Sequence, residues 1–389
     1  MKVIYLDHNF IESKYKNSPK DGSAFFTYGF GSLYAREFKK YNPDWDVECW
    51  KADTRISNPY VKRISNVQYR MFPATKIPYM GVFSKTLINE LKTVIKDSSG
   101  LIINISNLGH LLLYQVAKQC SNTPLFVQGH GETTAKMDLR IRKGILRKLK
   151  ALIHIPFENR AVKNIKVYYA LDKKMINEMP SNFKGEFLIQ TTGVDPNLFK
   201  PIDKQEAKKM LNLNPNKKYI VFIGRLDYTK RPDMLLDAWE ELKHRFPEWE
   251  LLLAGNSSGM PLTSRAKELG VIVMGRILQT ELYKYLSAAS IYVLAHLKGI
   301  YTLGGVGMLP VQALFCETPV VGYTVKNIPE EIRSKLGICT NNKVELTEAL
   351  QQIMTGNFCF KNLREIAIQE YSWENISKRT CHKYLEYIS

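Results

Sequence analysis

Twice along this chain, short apolar runs of strand length alternate with helix-length segments. That alternation restricts the fold to the α/β class with parallel strands. In the first half, Val3 to Leu6, Leu101 to Ile105 and Pro124 to Val127 read as strands, and helices are expected from about Phe25 to Tyr41 and from Leu111 to Lys118. The pattern restarts at Tyr219 to Gly224. It continues with a helix at 234–246, a strand at 249–254, a helix at 264–269, a strand at 271–274, a helix at 280–288 and a strand at 291–295. At 389 residues the chain is too long for one ordinary core. The restart therefore predicts two doubly wound domains, residues 1–197 and 198–372. The Gly/Pro-punctuated stretch Thr192 to Pro201 and the Lys/Asn-rich segment up to Lys218 read as the linker between them. Ligands of such sheets bind outside the carboxyl ends of the strands, and a cleft between the domains is the expected site.

Composition narrows the partners. No run of about 18 apolar residues occurs, so no transmembrane helix is expected. The N-terminal strand breaks early at Asp7 and lacks the long apolar core of a signal peptide. Six scattered cysteines without a C-x-x-C pair predict a cytoplasmic protein with reduced thiols and no zinc site. The net charge of +18 is uneven, +13 over residues 1–195 and +5 beyond, which points to an anionic partner. Between Lys136 and Lys166 there are ten Lys/Arg against Asp138 and Glu158, while Leu139, Ile145, Leu146, Leu149, Leu152 and Ile153 recur at three- and four-residue spacing. This predicts one amphipathic helix with a basic face. Two readings stay open. It is a surface helix packed on the sheet with solvated cations, or a contact for an anionic surface or acceptor, such as peripheral attachment to the inner membrane face.

Three stretches carry candidate chemistry. Gly304, Gly305 and Gly307 precede a helix-compatible run from Met308 to Phe315, followed by the extended Pro319 to Gly322. A glycine loop that opens a helix presents free N–H groups and the positive end of the helix dipole, a natural seat for phosphate. Arg225 and Lys230 follow the strand that opens the second half. Placed there, they can clamp a diphosphate, Arg by a bidentate fork and Lys as a point charge. His130 stands between Gly129 and Gly131 after a first-half strand, where small neighbours leave it open to position or deprotonate a hydroxyl. Gly22 and Ser23, after the first strand, can bring backbone N–H groups to a ligand.

Together these pieces resemble the GT-B glycosyltransferases, family 4 in particular, the large retaining group. The anchors are TTGVDPNLFKP (Thr191–Pro201), IGRLDYTKRPDMLLDAW (Ile223–Trp239), LLLAGNSS (Leu251–Ser258), GVGMLPVQALFCETPVVG (Gly305–Gly322) and YSWENISKRTCHKYLEYI (Tyr371–Ile388). The resemblance implies two Rossmann-like domains facing across a cleft, an acceptor bound by the first and a nucleotide-diphosphate sugar by the second. It implies a closing helix, residues 373–389, that crosses back to the first domain. Arg225 and Lys230 fall on the family's diphosphate pair, and His130 on its histidine near the donor sugar. Gly22 and Ser23 fall on the N-terminal glycine loop, Arg276 and Ile277 on the nucleobase position, and Gly307 and Met308 on the phosphate-capping helix start. No metal or other cofactor is implied.

One departure stands out. The family's two glutamates, eight residues apart, align with Gly304 and Gln312, and no Asp or Glu occurs from Leu282 to Cys316. Gln312 can still hydrogen-bond ribose hydroxyls. Gly304 offers no side chain, which leaves backbone, Tyr301, Thr302 or His296 to recognise the sugar. The leading expectation is a retaining transferase acting on a glycan or lipid-linked glycan hydroxyl. The alternative is a catalytically lapsed GT-B-like binding or partner subunit. No nucleic-acid recognition motif is present, and a nucleic-acid partner is not expected.

Overall fold

The structure, a computed structural model, describes all residues except 8–24, 27–28, 142, 228–229, 257–261, 296–304 and 389. The chain divides into two compact units, Met1–Gln190 with Ile376–Ser389, and Thr191–Asn375.

The first unit holds strands β1 (Lys2–Asp7), β2 (Asp46–Asp53), β3 (Tyr60–Ile64), β4 (Val67–Pro73), β5 (Thr75–Ile77), β6 (Gly81–Phe83), β7 (Leu101–Ser106), β8 (Leu125–Gln128), β9 (Ile165–Ala170) and β10 (Glu186–Ile189). Eight of them form one sheet, in the order β10-β9-β8-β7-β1-β2-β4-β3. Every pair is parallel except β3 with β4. β1 and β7 are buried almost throughout, as runs covered on both faces must be. The edge strand β3 is exposed and carries Lys62 and Arg63, charges that discourage edge-to-edge pairing. Helices α1 (Phe30–Tyr41), α2 (Leu111–Gln119), α3 (Ala135–Ile141) and α4 (Ile145–Ala161) belong to this unit. Strands β2 to β6 escape the sequence reading, because β2 and β4 mix Glu48, Lys51, Gln68 and Arg70 into otherwise apolar runs.

The one helix expected over Lys136 to Lys166 is two helices and the start of β9. The break falls at Gly144, whose φ of +98° suits glycine. The inward face of α4 is not its apolar one. It is Ala151, His154, Glu158 and Ala161 that are buried. His154 Nε2 lies 2.8 Å from the Tyr79 carbonyl, so that nitrogen carries the proton and Nδ1 accepts from the Tyr114 hydroxyl at 2.8 Å. The Glu158 carboxylate accepts the Ala135 N–H at the start of α3, at 3.0 and 3.2 Å.

The second unit holds β11 (Lys218–Ile223), β12 (Trp249–Ala254), β13 (Ile272–Met274), β14 (Ile291–Leu294), β15 (Val320–Gly322) and β16 (Gly337–Ile338). All six are parallel, in the order β13-β12-β11-β14-β15-β16. Tyr219, Val221 and Ile223 of β11 point into one core cluster, and Ile220 and Phe222 into the other. Helix α5 (Pro232–Leu242) covers the second face, and α6 (Met308–Phe315) the first.

The expected linker is a structured part of this unit. The Val194 N–H donates to the Tyr371 carbonyl at 2.9 Å, and the Arg364 guanidinium donates to the carbonyls of Pro196, Phe199 and Phe315. Phe199 is buried, and residues Lys204–Met210 form a helix capped by Asp203. Pro and Gly there shape a packed corner rather than a free connection. The last helix, α7 (Trp373–Leu385), begins in the second unit and belongs to the first from Ile376 on. Its Tyr384 is fully buried. The Asn104 amide donates to the Tyr384 hydroxyl at 2.7 Å, and the ring meets Phe126 edge-on at 4.8 Å.

Two outcomes follow for the first unit. Tyr384→Phe keeps the ring but strands the buried Asn104 amide, and unfolding titrations should show a loss of about 2 kcal/mol. Burial pushes the Glu158 carboxyl up to about 7, with the Ala135 N–H opposing it and Asp138 and Glu132 adding to it. A raised folded pKa contributes stability that is present in full below the unfolded value and lost as pH rises through 7. Glu158→Gln should therefore remove a decline on the order of 3 kcal/mol between pH 5 and pH 8, read as wild-type-minus-variant stability at the two pH values.

Candidate functional site

In the second unit the strand order reverses between β11 and β14, and a crevice for ligands opens at the carboxyl ends of such strands. Both phosphate-binding stretches predicted from sequence lead from that point. After β11 come Gly224 and Arg225. Arg225 is two-thirds exposed and pairs with Asp227 at 3.1 Å. Asp227 also shapes the turn, since its carbonyl and carboxylate both accept the Lys230 N–H, at 3.0 and 3.2 Å. Burial lowers the pKa of the Lys230 ammonium, and the nearby Arg225 charge lowers it further, against Asp227. Two cations thus share one loop with one carboxylate between them, which leaves a net positive charge for an anion. Arg231 at φ +52° closes the loop, and Pro232 starts α5.

The loop is braced from below. Gly224 N–H donates to the Ala254 carbonyl at 2.9 Å, and Leu226 N–H to that of Asn256 at 3.1 Å. Gly255, at φ +147°, comes so close that a Cβ there would stand 1.7 Å from the Gly224 carbonyl oxygen. The Tyr292 hydroxyl donates to the Ile223 carbonyl at 3.1 Å, tying β14 to the same corner.

The opposite wall is the start of α6. Gly305 and Gly307 have φ of +59° and +87°, conformations that favour glycine. No side chain caps the helix, and no acidic residue stands in its first turn. Among the described residues, its first N–H groups and dipole are thus left without a capping side chain or a carboxylate of the helix itself. The carbonyls behind are occupied. The Asn327 amide donates to Gly305 O at 2.8 Å, and the Thr324 hydroxyl to Val306 O at 3.1 Å. Gln312 lies one turn into α6, buried. Arg276 and Ile277 follow β13 at the same edge of the sheet, Arg276 exposed and Ile277 half-buried against the core. Gly304 lies outside the described residues, as do His296, Tyr301 and Thr302.

In the first unit His130 follows β8. Its ring stacks on Phe30, the first residue of α1, at 4.0 Å and 14°. Burial takes its pKa down to about 3, and its Nε2 has no hydrogen-bond partner among the described residues. The imidazole is therefore neutral and a weak base. Of the two roles open to it in the sequence, positioning by hydrogen bond fits and deprotonation does not. Glu132 organises this loop. Its carboxylate accepts the N–H groups of His130 at 2.7 Å and Leu108 at 3.0 Å, and the Tyr168 hydroxyl at 3.0 Å. Gly22 and Ser23 lie outside the described residues.

Asp227, Gly255, Thr324, Asn327 and Glu132 were not singled out in the sequence. Each acts on backbone groups that only folding brings near, although the proximity of Asp227 to Lys230 and of Glu132 to His130 was a local signal. The two glycines predict a contrast. Gly307→Ala meets only Pro310, 3.6 Å away, and carries backbone strain, so it should cost about 1–2 kcal/mol in denaturant titration. Gly255→Ala must also push the Gly224 loop aside and should cost more in the same titration.

Residues 203–371 match the family described as "Glycosyl transferases group 1". A D-inositol 3-phosphate glycosyltransferase of Segniliparus rotundus is 29% identical over 175 residues, 43% of this chain and 36% of that protein. The match thus spans about a third of the curated relative's length. Two solved structures resemble the chain throughout. The sucrose-phosphate synthase (tll1590) from Thermosynechococcus elongatus has a TM-score of 0.67 at 16% identity, covering 99% of both chains. Anabaena HepE in complex with UDP has a TM-score of 0.68 at 15% identity, covering 99% of this chain and all of that one.

Proposed function

We propose that the protein transfers a sugar from a nucleoside-diphosphate donor to an acceptor hydroxyl, a reading supported by the match of residues 203–371 to the group 1 glycosyl transferases and by the GT-B fold of the chain. The observation that carries this reading is that the Arg225–Lys230 loop and the uncapped start of α6 follow the two strands on either side of the strand-order reversal in one sheet. Separate cations and a helix N-terminus around one point suit a diphosphate better than a single phosphate or a carboxylate. The UDP held by the Anabaena structure supports a nucleoside diphosphate.

In this reading the bond from the anomeric carbon to the diphosphate oxygen breaks, and the acceptor oxygen bonds to that carbon on the same face, with retention. The acceptor proton passes to the departing diphosphate, so no strong protein base is required. Arg225, Lys230 and the α6 N–H groups stabilise the charge that grows on the diphosphate. They do so without a divalent cation. His130, neutral, holds a hydroxyl by a hydrogen bond. Arg276 and Ile277 take the base, and Gln312 the ribose. A glycan or lipid-linked glycan is the acceptor that the basic first half suits.

A donor screen by thermal shift, followed by mass spectrometry of products, tests the reading. Lys230→Ala and Arg225→Ala should each lower kcat about 10²–10³-fold, and EDTA should leave the rate unchanged. His130→Ala should lower the rate without moving the pH profile between 5 and 8, since the imidazole is neutral throughout. Nucleotide binding without turnover on any nucleotide sugar would refute the transferase reading and leave a binding subunit.

A further inference from the structure

Helix α4 is amphipathic in the opposite sense to an ordinary surface helix. Polar His154 and Glu158 face the protein, while Ile145, Leu146, Leu149, Leu152, Ile153 and Phe157 face out. Ile145 is 78% exposed and Leu146 67%, and the other four are exposed by 42–51%. At 100° per residue these six lie within one continuous stripe, and Lys148 and Lys150 border it on opposite sides. Lys143, Arg147 and Arg160 extend the positive charge along the helix, all exposed and all without an acidic partner among the described residues. The only carboxylate on α4 is Glu158, turned inward.

Scattered exposed apolar residues are ordinary, but six in one stripe are not. The inward face is fixed by the hydrogen bonds of His154 and Glu158, which leaves the apolar stripe without a partner in this unit. We propose that this face of α4 docks on the surface of a bilayer containing anionic lipid. The apolar stripe would sit at the acyl boundary, and the flanking lysines and arginines would reach back to the headgroup phosphates. Charge decides between this occupant and a second copy. Two copies of the stripe packed together would bring two rows of cations side by side with no carboxylate between them. No helix among the described residues is long and apolar enough to cross a membrane, so the contact is one of surface docking. The proposal stands apart from the transferase reading and survives its failure.

Co-sedimentation of the full chain tests it, with vesicles of phosphatidylcholine alone and of phosphatidylcholine mixed with phosphatidylglycerol. The expected result is binding to the mixed vesicles at least about tenfold tighter than to the neutral ones, weakening with salt. Leu149→Ser with Leu152→Ser should lower binding to mixed vesicles about tenfold, and Lys148→Ser with Lys150→Ser should lower it and flatten the salt dependence. All four side chains are exposed, so unchanged thermal unfolding of both variants verifies their fold. Equal binding to the two vesicle types, or variants that bind like the wild type, would overturn the proposal. So would light scattering that shows a dimer which Leu149→Ser with Leu152→Ser dissociates, since a second copy would then cover the stripe.

Discussion

In a parallel sheet covered on both faces, the strand ends are the one place where backbone groups remain open to a ligand. Both units obey this constraint. The cores take up the faces, as the division of β11 between two clusters shows, so the candidate groups among the described residues sit on loops at carboxyl strand ends or on a helix that starts there. The candidate site is a consequence of how the sheets bury their apolar area.

Those loops need support that they do not supply themselves. Gly255 lets the chain pass against the Gly224 carbonyl, and Asn327 and Thr324 hold the carbonyls of the α6 loop from behind. Glu132 does the same for the His130 loop by gathering two N–H groups and a hydroxyl. At the α6 and His130 loops a polar side chain thus satisfies backbone groups from one side. An anion at the start of α6 would meet N–H groups that no side chain caps, and at Arg225 it would share the guanidinium with Asp227.

The inverted helix α4 follows a different logic. Its buried side is small or hydrogen-bonded, with Glu158 answering the N-terminus of α3 and His154 bridging Tyr79 and Tyr114. That side can lie against the protein because each polar group finds a partner there. The apolar stripe is left for something outside the unit.

The order of strands and helices from β11 to β15, the glycine loop before α6 and the cations after β11 were legible in the sequence, because each depends on short apolar runs and on residues close in the chain. The two-domain plan was legible for the same reason. Strands β2 and β4 were not, since charged residues interrupt their apolar runs and some find partners on neighbouring strands, as Glu48 does with Lys2 of β1 and Arg70 of β4. Nor was the packed corner at 191–218, whose carbonyls are held by Arg364, over 160 residues away. Spacing showed that α4 has an apolar side, and tertiary structure decided that this side faces out. Periodicity records which residues share a face, but which face is buried depends on hydrogen-bond partners supplied by distant segments.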